Sequence, residues 1–244
     1  MNRMIKFYPS RLAVYGKNML REALNCAKNG REGRIYNNKR ILHDYKCIFI
    51  HIPKTAGTSV SRALFELPKT IDTEYPRSIR KLRFKHLKAT AVKSYLGDET
   101  WNRHFSFAFV RNPWDLMVSS YNWWVQKASH DPTFKDRIGS SEWLSNFESF
   151  IFSPFGRFKL NELEGNMLDW VTENGDIIVD YVGKVETFNS DWAAICHKIN
   201  APFRPMPCLN STIRLDYRQY YNSRTRAAIA ERFHREIELF EYKY

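Results

Sequence analysis

The feature that most constrains the fold is an apolar strand pattern that occurs twice, each time followed directly by a helical pattern. Residues 47–52 (CIFIHI) form a short, mostly apolar run that ends at Pro53. Such a run is typical of a strand buried on both faces of a parallel sheet. Residues 58–67 then predict a helix, and a second strand is predicted at residues 105–110 (FSFAFV). The sequence therefore predicts an α/β fold.

The second strand is followed by signals for a helix start. Asn112 suits the N-cap position, Pro113 the first helical position and Asp115 the third, because each residue type is favoured at that place. The helix is predicted to run to Val125. The loops after both strands then lie at the carboxyl ends of parallel strands, where doubly wound sheets bind their ligands.

The rest of the chain adds one strand and two helices, predicted at residues 177–182, 190–199 and 223–240. Strands that alternate with helices predict a single P-loop-like α/β domain, with a central parallel β-sheet flanked by helices. This domain is expected to span residues 1–244, with 1–45 as an N-terminal helical extension and 46–244 as the nucleotide-binding and acceptor-binding core.

The formal net charge of +12 is unevenly distributed along the 244 residues. Residues 1–46 hold eleven Lys and Arg against three Asp and Glu, and residues 75–103 hold eight against two. Residues 140–180 reverse this, with two against eight. Such asymmetry predicts a basic face, which either meets an anionic partner such as a nucleotide, acidic polysaccharide, nucleic acid or membrane, or is simply solvated.

Residues 10–28 have the spacing of a basic amphipathic helix. Such a helix either packs on its own domain or makes a peripheral contact with a membrane. The sequence has no apolar run of the roughly 20 residues that span a bilayer. Its four cysteines are scattered without a CxxC pair, so neither a metal site nor a disulfide is expected. These features predict a cytoplasmic chain and do not indicate its oligomeric state.

The loop between the first strand and its helix has the composition of a phosphate-binding loop. Its main-chain N–H groups and the helix N-terminus offer fixed partial positive charge, small residues permit close approach, and hydroxyls and a lysine add donors. The candidate phosphate ligands are Lys54, Thr55, Ala56, Gly57, Thr58 and Ser59. Lys54 precedes Gly57 by three residues, so the loop is not a Walker A motif and the magnesium geometry of nucleoside triphosphatases is not predicted.

A second candidate phosphate site follows the second strand. Arg111 directly follows that strand, and Ser119 lies eight residues later on the predicted helix. An arginine fork and a helical hydroxyl together suit a phosphate. The same arginine could instead pair with a carboxylate of the protein, and the sequence leaves both interpretations open.

The segments IFIHIPKTAGTS (residues 48–59) and FAFVRNPWDLMVSSY (residues 107–121) resemble the two nucleotide-binding segments of sulfotransferases, particularly the carbohydrate-type members. That family uses 3′-phosphoadenosine 5′-phosphosulfate (PAPS) and releases the bisphosphate PAP. The resemblance implies that Lys54 and residues 56–59 hold the 5′-phosphosulfate, and that Arg111 and Ser119 hold the 3′-phosphate.

A weaker resemblance resumes at residues 182–186 and continues to the C-terminus, and it implies that Arg214 is a third phosphate contact. Residues 1–45 and 126–176 match nothing in the family pattern, so acceptor specificity is expected there. By this resemblance the acceptor carries a hydroxyl group and is a saccharide or glycan, and no nucleic acid is expected as a partner.

Two residues are candidates for catalysis. Lys54 would neutralise the departing phosphate, a role that calls for no metal. His86 lies between the two nucleotide segments, where related sulfotransferases carry a histidine, and an imidazole can take a proton from a hydroxyl. Glu66 is the alternative base, because other sulfotransferases place a glutamate on this helix. His51 and His104 are expected to be structural.

Two other functions and one other use of the aromatic residues remain open. In a P-loop kinase, residues 177–180 would form a Walker B strand with Asp180 on magnesium, although the position of Lys54 opposes this. A nucleic-acid-binding protein would use the basic face, but no known binding motif is present. An aromatic cluster on the predicted helix is expected to be core rather than a sugar platform. It comprises Trp114, Tyr121, Trp123 and Trp124.

Overall fold

The structure, a computed structural model, describes residues 41–42, 45–68, 86–131, 142–205 and 215–244. These residues belong to one compact unit. The predicted helix at 10–28 and the candidate ligand Arg214 lie outside them, so both stay predictions, as do the single domain and its extension at residues 1–45. No helix in the described ranges is long and apolar enough to cross a membrane.

The strands within the described residues are short, and five of these eight contain two residues. In chain order they are β1 (Ile41–Leu42), β2 (Cys47–Ile50), β3 (Phe105–Val110), β4 (Lys159–Leu160), β5 (Leu163–Glu164), β6 (Thr172–Glu173), β7 (Asp176–Ile177) and β8 (Tyr181–Lys184).

The described helices lie between these strands, from β2 onward, and after the last one. They are α1 (Gly57–Glu66), α2 (Ala89–Leu96), α3 (Asp98–Asn102), α4 (Pro113–His130), α5 (Phe147–Phe152), α6 (Pro154–Phe158), α7 (Phe188–Lys198), α8 (Ser223–Arg232) and α9 (His234–Leu239). Short 3₁₀ turns occupy Glu142–Leu144, Met167–Trp170, Val185–Thr187 and Tyr217–Tyr220.

The main sheet has the order β1-β2-β3-β8. β2 pairs with β3 and β3 with β8 in parallel, whereas the short β1 pairs antiparallel with β2 at the edge. Every residue of β2 is buried, as are five of the six in β3, because helices cover such sheets on both faces. The predicted α/β fold with a central parallel sheet is therefore confirmed.

One face of the sheet carries the main apolar cluster. Alternate residues of β2 and β3 point toward the same face, where they pack against α1 and α7. The cluster consists of Tyr45, Cys47, Phe49, Val60, Leu64, Phe107, Phe109, Trp192, Ile195, Cys196 and Ile199. Most of these are almost completely buried, so the packing fixes β2 against β3 and thereby the positions of the loops that follow them.

The prediction of a third strand at residues 177–182 was wrong in its position. The parallel strand is β8, and Ile177 instead ends β7, which forms a hairpin with β6. Asn174 and Gly175 connect the two strands, with φ of 53° and 95°. An Asn-Gly pair with positive φ at both residues is the favoured two-residue hairpin turn. This pair therefore assigns Ile177 to a hairpin with β6 and not to the parallel strand.

The helix predictions need smaller changes. The Asn112 side chain accepts a hydrogen bond from Trp114 N at 3.1 Å, which confirms the N-cap, but α4 continues to His130 rather than Val125. The predicted last helix is two helices, α8 and α9, which separate at the fully buried Phe233. No Gly or Pro marks this break, so local sequence signals do not predict it.

Candidate functional site

The loop between β2 and α1 has a strained backbone. Lys54 and Ala56 have φ of 66° and 58°, the left-handed region that non-glycine residues rarely adopt. Each such residue costs on the order of 1 kcal/mol or more, and strain of this kind concentrates where a backbone holds a ligand. These two residues turn the chain sharply before α1 begins at Gly57.

Gly57 is required by its neighbour His51. A Cβ atom at Gly57 would lie 1.9 Å from Cδ2 and Nε2 of the His51 ring, so any side chain would collide with the imidazole. His51 itself is 4% exposed. The loop is therefore closed around a buried histidine ring, which accounts for this glycine by close packing rather than by its φ.

The three hydroxyl residues of the loop have different environments. Thr55 is completely buried, and its Oγ1 donates to the carbonyl oxygen of Ile52 at 3.0 Å. Of its polar groups, this leaves the main-chain N–H as the one suited to a phosphate. Ser59 is 3% exposed, whereas the side chain of Thr58 is exposed at the first turn of α1.

Arg111 connects the two candidate phosphate loops. Its Nε and Nη2 both contact Oδ2 of Asp115, at 2.7 and 2.6 Å, and its Nη1 donates to the carbonyl oxygen of Lys54 at 3.2 Å. The side chains of Arg111 and Asp115 are 17% and 19% exposed. Arg111 therefore does pair with a carboxylate of the protein, as one interpretation of the sequence had it. It also contacts the loop between β2 and α1, residues 51–56, which is called the lysine loop below.

Ser119 lies one turn beyond Asp115 on α4 and is partly buried. Residues four apart on a helix share a face, so Arg111, Asp115 and Ser119 follow one line from the end of β3 along the helix. The pairing of Arg111 and Ser119 on one phosphate stays a prediction, and the structure places an acidic residue, Asp115, between them along the chain.

The carboxyl ends of the three parallel strands are tied together. Asn112 N, just after β3, donates to Oε1 of Glu186, just after β8, at 2.6 Å. The Arg111 N–H contacts the sulfur of Met167 at 3.4 Å. Together with the contact from Arg111 to Lys54, these bonds make one continuous edge from the loop after β2 to the turn after β8.

His86 lies beside the start of the lysine loop. Its Nδ1 is 3.0 Å from the carbonyl oxygen of His51, and the two imidazole centroids are 4.4 Å apart in an edge-to-face arrangement. Because a carbonyl oxygen only accepts hydrogen bonds, Nδ1 carries the proton, and Nε2 of the neutral ring carries the lone pair. The contact leaves His86 in the tautomer that a general base at Nε2 requires.

The main chain at His86 is held from another direction by Trp170. The indole Nε1 of Trp170 donates to the His86 carbonyl oxygen at 3.2 Å, and Trp170 is 1% exposed. The ammonium group of Lys88 lies 5.5 Å from the centroid of the same indole. His86 is thus held both by His51, at the start of the lysine loop, and by Trp170, in the 3₁₀ turn at Met167–Trp170.

The other candidate base and the remaining histidine lie elsewhere. Glu66 is the last residue of α1, where it forms an exposed ion pair with Arg62 at 2.7 Å, about 14 Å along the helix axis from Gly57. His104 precedes β3, at the amino end of the strand, and its Nδ1 contacts the Thr100 carbonyl oxygen at 2.7 Å. Burial lowers the pKa of His104. Of these groups, only His86 adjoins the loop.

Asp180 is not placed as a kinase would need it. Its Oδ2 accepts hydrogen bonds from N and Oγ of Ser106 at 2.7 and 2.8 Å, and it directly precedes β8. Lys184, at the carboxyl end of β8, is therefore about 13 Å farther along the strand. Asp180 lies at the edge of the sheet opposite the lysine loop, so it cannot act there as a magnesium ligand.

The aromatic residues of α4 mostly form core, as expected from the sequence. Trp114 and Trp124 are 5% and 1% exposed, and Tyr121 packs edge-to-face on Phe147 with centroids 5.5 Å apart. Trp123 is partly buried, and the ammonium group of Lys127 lies 4.7 Å from its ring centroid. Aromatic packing around α4 therefore stabilises the helix that carries Asp115.

A family model described as the sulfotransferase family matches residues 38–243. The match covers most of the chain, so the chain belongs to the sulfotransferase family and is a transferase that acts by sulfuryl transfer. No curated protein and no solved structure gives a significant match. The family match includes both candidate phosphate loops and His86.

The sequence reasoning did not identify two residues that the structure brings to this site. Asp115 was interpreted as a helix-start residue, but its spacing of four from Arg111 is itself the signal of an ion pair on a helix. Glu186 had no comparable signal, because its contact with Asn112 joins residues 74 positions apart.

Proposed function

We propose that this protein transfers a sulfuryl group from PAPS to a hydroxyl group of an acceptor, and that the acceptor is a saccharide or glycan. The family supports sulfuryl transfer in general. The observation that carries the choice of donor is the contact of Arg111 Nη1 with the Lys54 carbonyl oxygen. It joins two anion-binding loops side by side, as a nucleotide with phosphates at both its 5′ and 3′ positions requires.

In this proposal the two loops hold opposite ends of the nucleotide. The lysine loop and the first turn of α1 hold the 5′-phosphosulfate through main-chain N–H groups, the small residues permitting close approach. Residues of the second loop hold the 3′-phosphate. The 5′ ligands are Lys54, Thr55, Ala56, Gly57, Thr58 and Ser59, the 3′ ligands are Arg111 and Ser119, and Arg214, outside the described residues, stays a predicted third phosphate contact.

The chain's own residues supply charge neutralisation and a base. PAPS, when bound, supplies the sulfuryl group. The Lys54 ammonium group stabilises the negative charge that collects on the departing phosphate, so the reaction needs no metal. His86 Nε2 accepts the proton of the acceptor hydroxyl as its oxygen attacks sulfur, and the His51 carbonyl oxygen holds the tautomer that leaves Nε2 basic.

The acceptor is proposed to bind toward residues 126–176. This region matches nothing in the family's nucleotide-binding pattern, and its described part contributes Trp170, whose indole contacts the main chain of His86. His86 contacts His51, beside the proposed donor site, and Trp170, in the region proposed for the acceptor. The base would therefore stand between donor and acceptor, which the transfer geometry requires.

The test of this function is thermal unfolding with three ligands: 3′,5′-adenosine bisphosphate, 5′-AMP, and ATP with magnesium. A ligand at about 100 times its dissociation constant adds about 2.7 kcal/mol to the free energy of unfolding. We expect stabilisation by the bisphosphate, without metal, to exceed that by either other ligand. Stabilisation by ATP with magnesium alone, or by none of the three, would reject the proposal.

His86→Ala should leave binding of the bisphosphate intact and lower the rate of sulfuryl transfer on the order of 100-fold or more, because a general base contributes that much. The readout is transfer from PAPS, with the bisphosphate dissociation constant measured in parallel. His104→Ala is the matched control. Nδ1 of His104 makes the same kind of contact with a carbonyl oxygen, but at the amino end of β3, away from the lysine loop. Normal turnover in His86→Ala would exclude His86 as the base.

A further inference from the structure

The ion pair between Arg111 and Asp115 fixes the orientation of the guanidinium group. A single carboxylate oxygen, Asp115 Oδ2, lies 2.7 Å from Nε and 2.6 Å from Nη2. A planar guanidinium held at two adjacent nitrogens has little freedom to rotate. The third nitrogen, Nη1, is held by the Lys54 carbonyl oxygen at 3.2 Å, so the plane is defined from both sides.

These contacts use only some of the N–H donors of Arg111. A guanidinium group has five N–H donors. The Nε N–H donates to Asp115 and one Nη1 N–H donates to Lys54, while Nη2 lies in ion-pair contact with Asp115 Oδ2. At least one N–H on each terminal nitrogen therefore has no acceptor in the described part of the chain. Two N–H groups on neighbouring nitrogens suit a phosphate, which accepts hydrogen bonds at two oxygens.

We propose that Asp115 is a positioning residue, which holds Arg111 so that its remaining donors select nucleotides that carry a 3′-phosphate. This inference rests on the proposed function, since it assigns the 3′-phosphate to Arg111. Asp115 does not contact the nucleotide in this scheme. It acts through the orientation of the arginine, and its contribution should therefore appear in the discrimination between nucleotides with and without the 3′-phosphate.

A competing account of Asp115 predicts the opposite change in phosphate affinity when this residue is removed. If Asp115 were merely a negative charge beside an anion site, its removal would strengthen phosphate binding, because like charges repel. If Asp115 orients Arg111, its removal should weaken binding, because the arginine must then be immobilised by the ligand itself. The direction of the change therefore separates the two accounts.

The experiment measures dissociation constants of 3′,5′-adenosine bisphosphate and 5′-AMP for the full chain, and takes their ratio. Asp115→Ala removes the acceptor oxygen, and we expect the preference for the bisphosphate to fall about tenfold. Asp115→Asn keeps an acceptor oxygen at the same place but removes the charge, and we expect it to retain most of the preference. A preference that is unchanged or increased in Asp115→Ala would overturn the inference.

A double-mutant cycle with Arg111→Ala shows whether the effect passes through the arginine. In the Arg111→Ala background, Asp115→Ala should cause no further loss of preference, because residues that act as a unit are not additive. Additive losses would overturn the positioning role. The ratio of the two ligands also removes any general effect of the substitutions on folding or on the lysine loop.

Glu99→Ala is the matched control. Glu99 lies in the first turn of α3 and pairs with Arg103, four residues away, at 2.7 Å, so it reproduces the ion pair away from the site. It should leave the ratio unchanged. A wild-type protein without preference for the bisphosphate would reject the proposed function itself, whereas a wild-type preference that survives in Asp115→Ala would reject this inference alone.

Discussion

Arg111 and Arg232 are each followed, four residues later, by a carboxylate, yet the two arginines have different surroundings. Arg111 pairs with Asp115, which is 19% exposed, at the carboxyl edge of the sheet. Arg232 precedes Glu236, which is 1% exposed, at the junction of α8 and α9. The same sequence spacing therefore occurs once at the candidate site and once in the interior.

The nitrogens of Arg232 are all engaged by the chain. Its Nε, Nη1 and Nη2 donate to Asn166 Oδ1, the Gly156 carbonyl oxygen and the Gly165 carbonyl oxygen, at 2.9, 2.5 and 3.1 Å. These acceptors lie in the segment that runs from α6 itself to the start of the 3₁₀ turn at Met167–Trp170. Arg232 therefore fastens that segment to the C-terminal helices.

Burial changes the ionisation of both interior residues, Arg232 and Glu236. It lowers the pKa of Arg232 to about 10, against the opposing effect of the Glu236 charge. It raises the pKa of the Glu236 carboxyl group, although the Leu168 N–H, which donates to Glu236 at 3.2 Å, and the Arg232 charge lower it. Desolvation is the largest effect on both groups.

The comparison shows how to distinguish a structural arginine from a ligand-binding one. Arg232 donates to four acceptors that the fold supplies, Asn166 Oδ1, the Met117 sulfur and the carbonyl oxygens of Gly156 and Gly165, whereas the Arg111 side chain donates to two in the described residues, Asp115 Oδ2 and the Lys54 carbonyl oxygen. A buried polar group without a partner is costly, so a largely enclosed arginine with donors in reserve indicates a ligand. Sequence spacing alone does not make this distinction.

Arg232→Met should have the largest effect. It removes the hydrogen bonds to Asn166, Gly156 and Gly165, and each buried acceptor left without a donor costs roughly 1–3 kcal/mol. It also removes the positive charge that favours the ionised form of the buried Glu236. Thermal unfolding without ligand should show a midpoint lowered by roughly 10 °C. A decrease of less than about 2 °C would mean that the two arginines do not differ as the comparison claims.

Arg111→Met should show the reverse pattern. A partly exposed ion pair contributes about 1 kcal/mol or less to folding, so the unfolding midpoint should change little. The affinity for 3′,5′-adenosine bisphosphate should fall about 30-fold, because hydrogen bonds from a charged donor are lost. Calorimetric titration measures this loss. Wild-type affinity in Arg111→Met would remove Arg111 from the proposed nucleotide site.

The smallest expected effect concerns the pH dependence of stability. The pKa of Glu236 is raised in the folded protein, so the folded state binds this proton more tightly than the unfolded state. Its contribution to stability is full below the unfolded pKa and is lost as the pH rises through the folded pKa. Glu236→Gln lacks this loss, so its stability relative to wild type should increase as the pH rises above about 4.

Urea unfolding between about pH 4 and about pH 8 measures this difference. Glu238→Gln is the control, because Glu238 is exposed on the same helix, α9, and its curve should stay parallel to that of wild type. A parallel curve for Glu236→Gln as well would contradict the raised pKa, and with it the interior half of the comparison.

Local signals predicted the first two strand and helix units well. The apolar runs at β2 and β3, and the cap at Asn112, depend on residues close together in the chain, so the sequence identifies them directly. The third strand was placed too early because the apolar run at 177–179 continues from β7 almost to β8. The break at Phe233 had no local signal, since the burial of Phe233 depends on the rest of the fold.

The sequence by itself determined that two loops suited to anions follow buried strands, and the resemblance and family match assign them to a sulfotransferase. Tertiary structure decided how these loops meet. Arg111 reaches the Lys54 carbonyl oxygen across 57 positions, and His86 reaches that of His51 across 35. Strand and helix signals are read from neighbours in the chain. The contact of Arg111 exists because parallel pairing places β3 beside β2, and the contact of His86 exists because the residues before α2 pack against the end of β2.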